Sequence, residues 1–254
     1  MKLGGPERDE DHLTKKAEAA TTPGESLFQK AASAASDSTP RLEAHASDIP
    51  ELITDGLVNR VSLDDYRDLG HLTRESILLA LQELSDRLAQ KDGHGKVLLL
   101  GGAAMILLYQ NREGTKDIDA ITEPKSLINE ISIQMAADHD LPDGWLNDAA
   151  KGFMPDPELC KYGTEGVPQF PNLTVFVPSP EMLFAMKASA TRIEYDPDGK
   201  MSRDLEDLRT LAKELGVQNQ EDAERIISTF YPLERIPQRF WYALDDILGK
   251  EDSE

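Results

Sequence analysis

The chain has 254 residues, with 27 Lys+Arg against 47 Asp+Glu and a formal net charge of −20. So much negative charge repels a phosphate backbone at long range, which excludes a generally basic nucleic-acid binder. Apolar residues at 39% supply a core for one large domain, or one domain with a small appendage. The lone Cys160 excludes an intramolecular disulfide and a cysteine-rich zinc site. No apolar run approaches the ~18 residues of a membrane-spanning helix. Met1 to Glu10 lacks the apolar core of a signal peptide, so a cytoplasmic protein is expected.

Residues 1–50 carry nine acidic and six basic side chains among Ala, Ser, Thr, Pro and Gly, leaving −17 of the charge on residues 51–254. This composition buries too little surface to offset its ordering entropy, and a disordered leader is expected, with one short helix near Ser26 to Ala35. Residues 51–254 form the domain, with a core over 72–178 and a helical C-terminal part over 179–248.

Within Leu72 to Gln90, Ile77, Leu81, Leu84 and Leu88 recur at helical spacing behind Thr73 as N-cap. Val97 to Leu100 reads as a buried strand running into Gly101-Gly102, and Ala103 to Gln110 as a helix packed upon it. Residues 111–114 form a turn, Asp117 to Ile121 a second strand, and Lys125 to Ala137 a helix. His139 to Pro171 is punctuated by Pro and Gly, and a loop of that length is usually functional or hides short elements. Leu173 to Val177 has strand composition, and Ser179-Pro180 opens a helix that reaches about Arg192. After a turn at Asp196 to Gly199, helices are predicted over Ser202 to Leu215, Glu221 to Phe230 and Gln238 to Leu248.

The chemistry concentrates in Val97 to Ile121. Side chains two apart on a strand share a face, so Asp117 and Asp119 converge while Ile118 and Ala120 turn inward. Two carboxylates held so close repel unless a cation neutralises them, and such hard oxygen donors suit Mg²⁺, with Mn²⁺ as a substitute. Gly101 and Gly102, at a strand-to-helix turn without Cβ atoms, let backbone N–H groups approach a phosphate at a helix N-terminus. A phosphate cradle beside a divalent-metal pair describes a nucleoside triphosphate site. Either half alone carries little weight, since a Gly-Gly pair is usually a turn and an Asp-x-Asp usually a solvated strand face; their order around one helix carries the reading.

Gly101-Gly102-Ala103-Ala104, then Arg112-x-x-Thr115-Lys116-Asp117-Ile118-Asp119, then Lys187, then Arg203-Asp204-x-x-Asp207, resembles the nucleotidyltransferase superfamily. Within it the pattern is similar to the AbiEii-like branch that includes the MenT toxins, over roughly Leu72 to Leu215. The resemblance implies an α/β (α+β) fold, a small mixed sheet flanked by helices with a helical C-terminal part. It implies that Asp117 and Asp119 hold Mg²⁺, that Lys187 contacts nucleotide phosphates, and that Asp204 or Asp207 completes the site. Asp204 and Asp207 lie three apart on one helix face, where a solvated flank is the competing reading; Lys187 could equally snorkel beside Leu183, Met186 and Ala190.

Around this centre, Arg112 and Lys116 bracket the turn before the acidic strand and are candidates to touch phosphate. Asn147 and Asp148, beside Trp145, are candidates for base or ribose recognition against an ordinary Asx-turn. One departure matters: Leu173 to Val177 carries no acid, whereas many polymerase-like members place a third carboxylate on a later strand. That acid comes from Asp204, Asp207 or the Trp145 to Asp148 segment, or is missing. The five His residues are dispersed without zinc-ligand spacing. Gly93-His-Gly95-Lys96 fails the P-loop pattern, with Gln90 at its first Gly position and Val97 after the Lys. No Gly-x-Ser-x-Gly elbow occurs.

The expected activity is Mg²⁺-dependent transfer of a nucleotidyl group from a nucleoside triphosphate to a hydroxyl of a tRNA end or of a protein. By resemblance, the setting is the toxin of a toxin–antitoxin pair, with an antitoxin as partner and no membrane involved. The competing expectation is a catalytically inactive relative that binds a nucleotide or a partner protein.

Overall fold

The computed structural model describes Phe28, Leu63 and residues 69–191 and 202–249. The expected turn at Asp196 to Gly199 and nearly all of the expected disordered leader lie outside the described residues. Phe28, within the short helix expected near Ser26 to Ala35, is helical and buried, packed against Tyr162 and Phe176 with the Lys96 ammonium over its ring.

Helix α1 (Arg74–Gln90) begins where predicted: Thr73 Oγ1 accepts the Ser76 N–H at 3.3 Å. Its apolar stripe, Ile77, Leu81, Leu84 and Leu88, is buried at 2% exposure or less. Strand β1 (Gly95–Leu99) leads into α2 (Gly101–Tyr109), a helix apolar on every side and therefore buried along Ala103 to Leu107. Strand β2 (Ile118–Glu123), α3 (Lys125–His139), the two-residue β3 (Leu146–Asn147) and a 3₁₀ turn (Ala149–Phe153) follow. Then come β4 (Tyr162–Gly163), β5 (Leu173–Pro178) and α4 (Pro180–Ala190), which carries Ser179 as N-cap and Pro at its start. The C-terminal part holds α5 (Arg203–Glu214), α6 (Gln220–Ile227), a 3₁₀ turn (Leu233–Arg235), α7 (Gln238–Tyr242) and α8 (Leu244–Leu248).

The strands form one mixed sheet in the order β3-β2-β1-β5-β4. β1 runs antiparallel to β2 and parallel to β5, β2 runs parallel to β3, and β4 antiparallel to β5. Helices flank this sheet, as the sequence reading expects. Helices α1 and α3 contact each other and the sheet, while α4 joins the sheet to α5 and α6. Phe184 of α4 and Phe240 of α7, both fully buried, meet edge-to-face at 6.1 Å and tie the C-terminal helices to the core.

Three differences from the sequence reading have simple causes. The segment 139–171 contains β3, β4 and a 3₁₀ turn, elements too short for any periodicity to show. The predicted helix Gln238 to Leu248 is two short helices meeting at Ala243. Asp117 precedes the ladder of β2 by one residue. Among the described residues, no helix is long and apolar enough to cross a membrane.

Candidate active site

Register brings the two halves of the motif together. Leu99 pairs with Ala120 across the antiparallel β1–β2 ladder, and the next residue, Leu100, donates its N–H to the Asp119 carbonyl at 2.8 Å. The chain turns into α2 immediately afterwards, so Gly101 is delivered beside Asp119. Its φ is +54°, a left-handed conformation that favours glycine, and a Cβ built there would stand 2.9 Å from Asp119 Oδ2. Leu100, at the N-cap position of α2, supplies no side-chain cap, which leaves first-turn N–H groups for an anion.

Parallel pairing of β3 with β2 sets Asn147 opposite Asp119. The Asn147 Nδ2 donates to Asp117 Oδ2 at 3.0 Å, and its Oδ1 accepts the Ala149 N–H at 2.8 Å. The following 3₁₀ turn offers the Ala150 N–H to the Asp119 carboxylate. Burial pushes the Asp119 carboxyl above its ordinary value, and the neighbouring charge of Asp117 pushes it the same way. The Ala150 N–H and the positive charge of Lys187 only partly offset this. A divalent cation relieves that repulsion, and one or two carboxylates are the protein share that Mg²⁺ ordinarily takes. The pair therefore fits Mg²⁺ on the chemistry of its donors.

Opposite the acids stands a cationic group. Arg112 lies on the turn between α2 and β2, which is pinned to the start of α1 by reciprocal Leu72–Thr115 backbone bonds of 2.6 and 2.9 Å. Its guanidinium rests against Gly102, where an added Cβ would fall 1.8 Å from an Arg112 nitrogen and 2.7 Å from Thr115 Oγ1. Lys187 projects from α4 and is 9% exposed. Its Nζ lies 2.6 Å from Asp207 Oδ2 and 3.1 Å from Asp204 Oδ1, and Arg112 Nη1 lies 3.4 Å from Asp207 Oδ2. Asn111 Nδ2 donates to Asp207 Oδ1 at 2.8 Å. A cavity of about 250 Å³ beside this turn is lined by His71, Asn111, Arg112, Glu113, Arg203 and Glu206, and by neither the acidic pair, Gly101, Gly102 nor Lys187.

The structure thus brings together Gly101, Gly102, Ala103, Asp117, Asp119, Asn147, Arg112 and Lys187. Lys116 is exposed on the turn before β2, and Asp148 faces Lys125 at 2.5 Å instead of the acidic pair. Trp145 is core, 2% exposed with its indole N–H bonded to the Ser132 carbonyl at 3.0 Å, and offers no face for a base. Among the described residues, no group of three His, Cys, Asp or Glu is placed to hold a metal, so Asp204, Asp207 and Asp148 do not enlarge the Asp117–Asp119 pair. Asp204 and Asp207 face Lys187 because their positions on α5 share the side turned towards α4. Sequence reasoning missed Asn111 and the Ala150 N–H. Nothing local marks either one, since both acquire their partners only through tertiary contact.

No curated protein and no solved structure matches the chain. Residues 76–213, more than half of the chain and including the glycine turn, the acidic pair and the cationic cluster, match the family described as a nucleotidyltransferase of unknown function (DUF6036), and the protein belongs to that family.

Proposed function

We propose that the protein is a Mg²⁺-dependent nucleotidyltransferase that moves a nucleotidyl group from a nucleoside triphosphate to a hydroxyl of RNA or protein. The observation that carries this reading is the placement of the Gly101 turn within contact of Asp119, with Arg112 against Gly102 behind it. The first-turn N–H groups of α2, Arg112 and Lys187 bind the triphosphate, and Asp117 and Asp119 hold the metal. Mg²⁺ bound there would neutralise phosphate charge and orient the reacting phosphorus. The acceptor oxygen bonds to the α-phosphorus, the bond from that phosphorus to its bridging oxygen breaks, and pyrophosphate leaves with the electron pair. The hydroxyl proton passes to solvent. Phosphoryl chemistry of this kind asks a protein mainly for position and electrostatic stabilisation, which two carboxylates and two cations supply.

A cytoplasmic setting as the toxin of a toxin–antitoxin pair follows from the AbiEii-like pattern in the sequence. At −20 overall, the surface disfavours a long RNA and favours an acceptor of which only one end enters the cleft. One observation favours the second reading, a binding-only relative: among the described residues, no third His, Cys, Asp or Glu joins the acidic pair to hold a metal. Incubation with each labelled triphosphate, Mg²⁺ and total tRNA or lysate separates the two. Label transferred to RNA or protein by wild type, and not by Asp117→Ala plus Asp119→Ala, supports the enzyme; Mg²⁺-dependent triphosphate binding without transfer supports the second reading.

A further inference from the structure

We infer that Asp207, together with Asn111, is a positioning residue that holds Lys187 and Arg112 as a pair of cations at the Gly101-Gly102 turn, and that it is not a metal ligand. The inference rests on the nucleotidyltransferase reading above for its functional consequence, and on side-chain geometry alone for the clamp.

Asp207 is 0% exposed. A carboxylate removed that far from water persists only if paired, and its pairing is specific: Lys187 at 2.6 Å and Arg112 at 3.4 Å on Oδ2, the Asn111 amide at 2.8 Å on Oδ1. Oδ1 accepts the Asn111 amide, whereas Oδ2 is held by charge alone, within ion-pair distance of both cations and without a hydrogen bond among the described residues. A metal ligand instead needs an accessible oxygen, and Asp119 is only partly buried where Asp207 is wholly so. The four residues come from three places, α4, α5 and the α2–β2 turn, so a single buried charge sets the relative position of two long, flexible cations. Among the described residues Asp207 is the one ion-pair partner of Arg112, and without it Lys187 keeps Asp204, whose side chain is 34% exposed. With Asp204 included, two cations face two carboxylates and the cluster is neutral as a whole, so Asp207 acts on where the cations stand rather than through surplus charge. Asp204 and Asp207, equivalent in the sequence, therefore differ in kind: one is a solvent-reaching partner of Lys187 and the other the anchor of the cluster.

The full-length protein decides this in two measurements. The first is a double-mutant cycle of Asp207→Asn and Lys187→Met in urea unfolding, with an expected coupling of tenfold or more in the unfolding equilibrium constant. The second is binding of Mn²⁺ alone, read by electron paramagnetic resonance, and of ATP, GTP, CTP and UTP with Mg²⁺, read by calorimetry. Asp207→Asn should keep Mn²⁺ affinity within twofold of wild type while the best-bound triphosphate weakens at least tenfold. Asp117→Asn should lose Mn²⁺ affinity at least tenfold. Should Asp207→Asn not fold, Asn111→Leu, which removes one hydrogen bond and no charge, should weaken the triphosphate about threefold and leave Mn²⁺ unchanged. Coupling under twofold, loss of Mn²⁺ in Asp207→Asn or Asn111→Leu, or unchanged triphosphate affinity in both would overturn the inference. If wild type binds neither Mn²⁺ nor any triphosphate, the nucleotidyltransferase reading fails, and the cycle still reports separately on the clamp.

Discussion

Replacing Gly101 by Ala tests whether backbone and chemistry are joined at the β1–α2 turn. Gly101 has φ +54°, a conformation that costs a residue with a Cβ roughly 1–2 kcal/mol. The new methyl would also stand 2.9 Å from Asp119 Oδ2, closer than real Cβ contacts, so the half-buried carboxylate must move. Overpacking of that kind costs on the order of 1–3 kcal/mol, for a total of about 2–5 kcal/mol. Gly216 provides the control: its φ is +65°, with nothing within 4 Å of a built Cβ. Gly216→Ala should therefore show the conformational cost alone, ~1–2 kcal/mol. Urea unfolding of wild type and both variants, with matched m-values, measures the difference. Triphosphate binding in the presence of Mg²⁺ should fall at least tenfold for Gly101→Ala and stay unchanged for Gly216→Ala. Equal stability costs at the two sites, or undiminished binding by Gly101→Ala, would refute the argument that the turn and Asp119 share one tightly packed centre.

Other outcomes follow from the same geometry. Burial and then Asp117 raise the proton affinity of Asp119 in the folded state, so the native protein binds more protons than the unfolded chain between the ordinary carboxyl value of 3.8 and the raised one. The metal-free protein should therefore gain stability from this group as pH falls through that window. Asp119→Asn should be more stable than wild type at pH 7, and the advantage should shrink towards pH 4 in melts followed by circular dichroism. Excess Mg²⁺ should raise the wild-type midpoint by mass action and leave Asp117→Asn plus Asp119→Asn unchanged, whereas an equal shift in both would place the metal elsewhere. Phe184→Ala removes a fully buried ring packed on Phe240 and should cost ~3–5 kcal/mol in urea unfolding, with the C-terminal helices losing hydrogen-exchange protection first. Lys125→Ala breaks an exposed ion pair with Asp148, whose side chains are 68% and 43% exposed. It should change neither the midpoint nor triphosphate binding, since such pairs contribute little.

Local pattern was enough for much of this molecule. Helix α1 starts at its Thr73 cap, α4 at Ser179-Pro180, and α5 buries Leu205, Leu208 and Ala212 of its apolar stripe, because caps and periodicity are written within a few residues of where they act. Gly101, Gly102, Asp117 and Asp119 were legible for a similar reason, since a strand, a turn and one short helix separate them by a distance that the chain itself dictates. Their roles beyond that depend on neighbours that spacing does not reveal. Asp204 and Asp207 are indistinguishable as two acids on one helix face. Only the packing of α5 on α4 buries Asp207 under Lys187 and Arg112 and leaves Asp204 partly in water. Asn147 and Asp148, adjacent in the chain, part company because the β2–β3 register turns one to Asp117 and sets the other beside Lys125. Local sequence shows which residue types suited to phosphate and metal chemistry lie close together along the chain. Tertiary structure decided which of them meet, because burial and strand register act between segments that are distant along the chain.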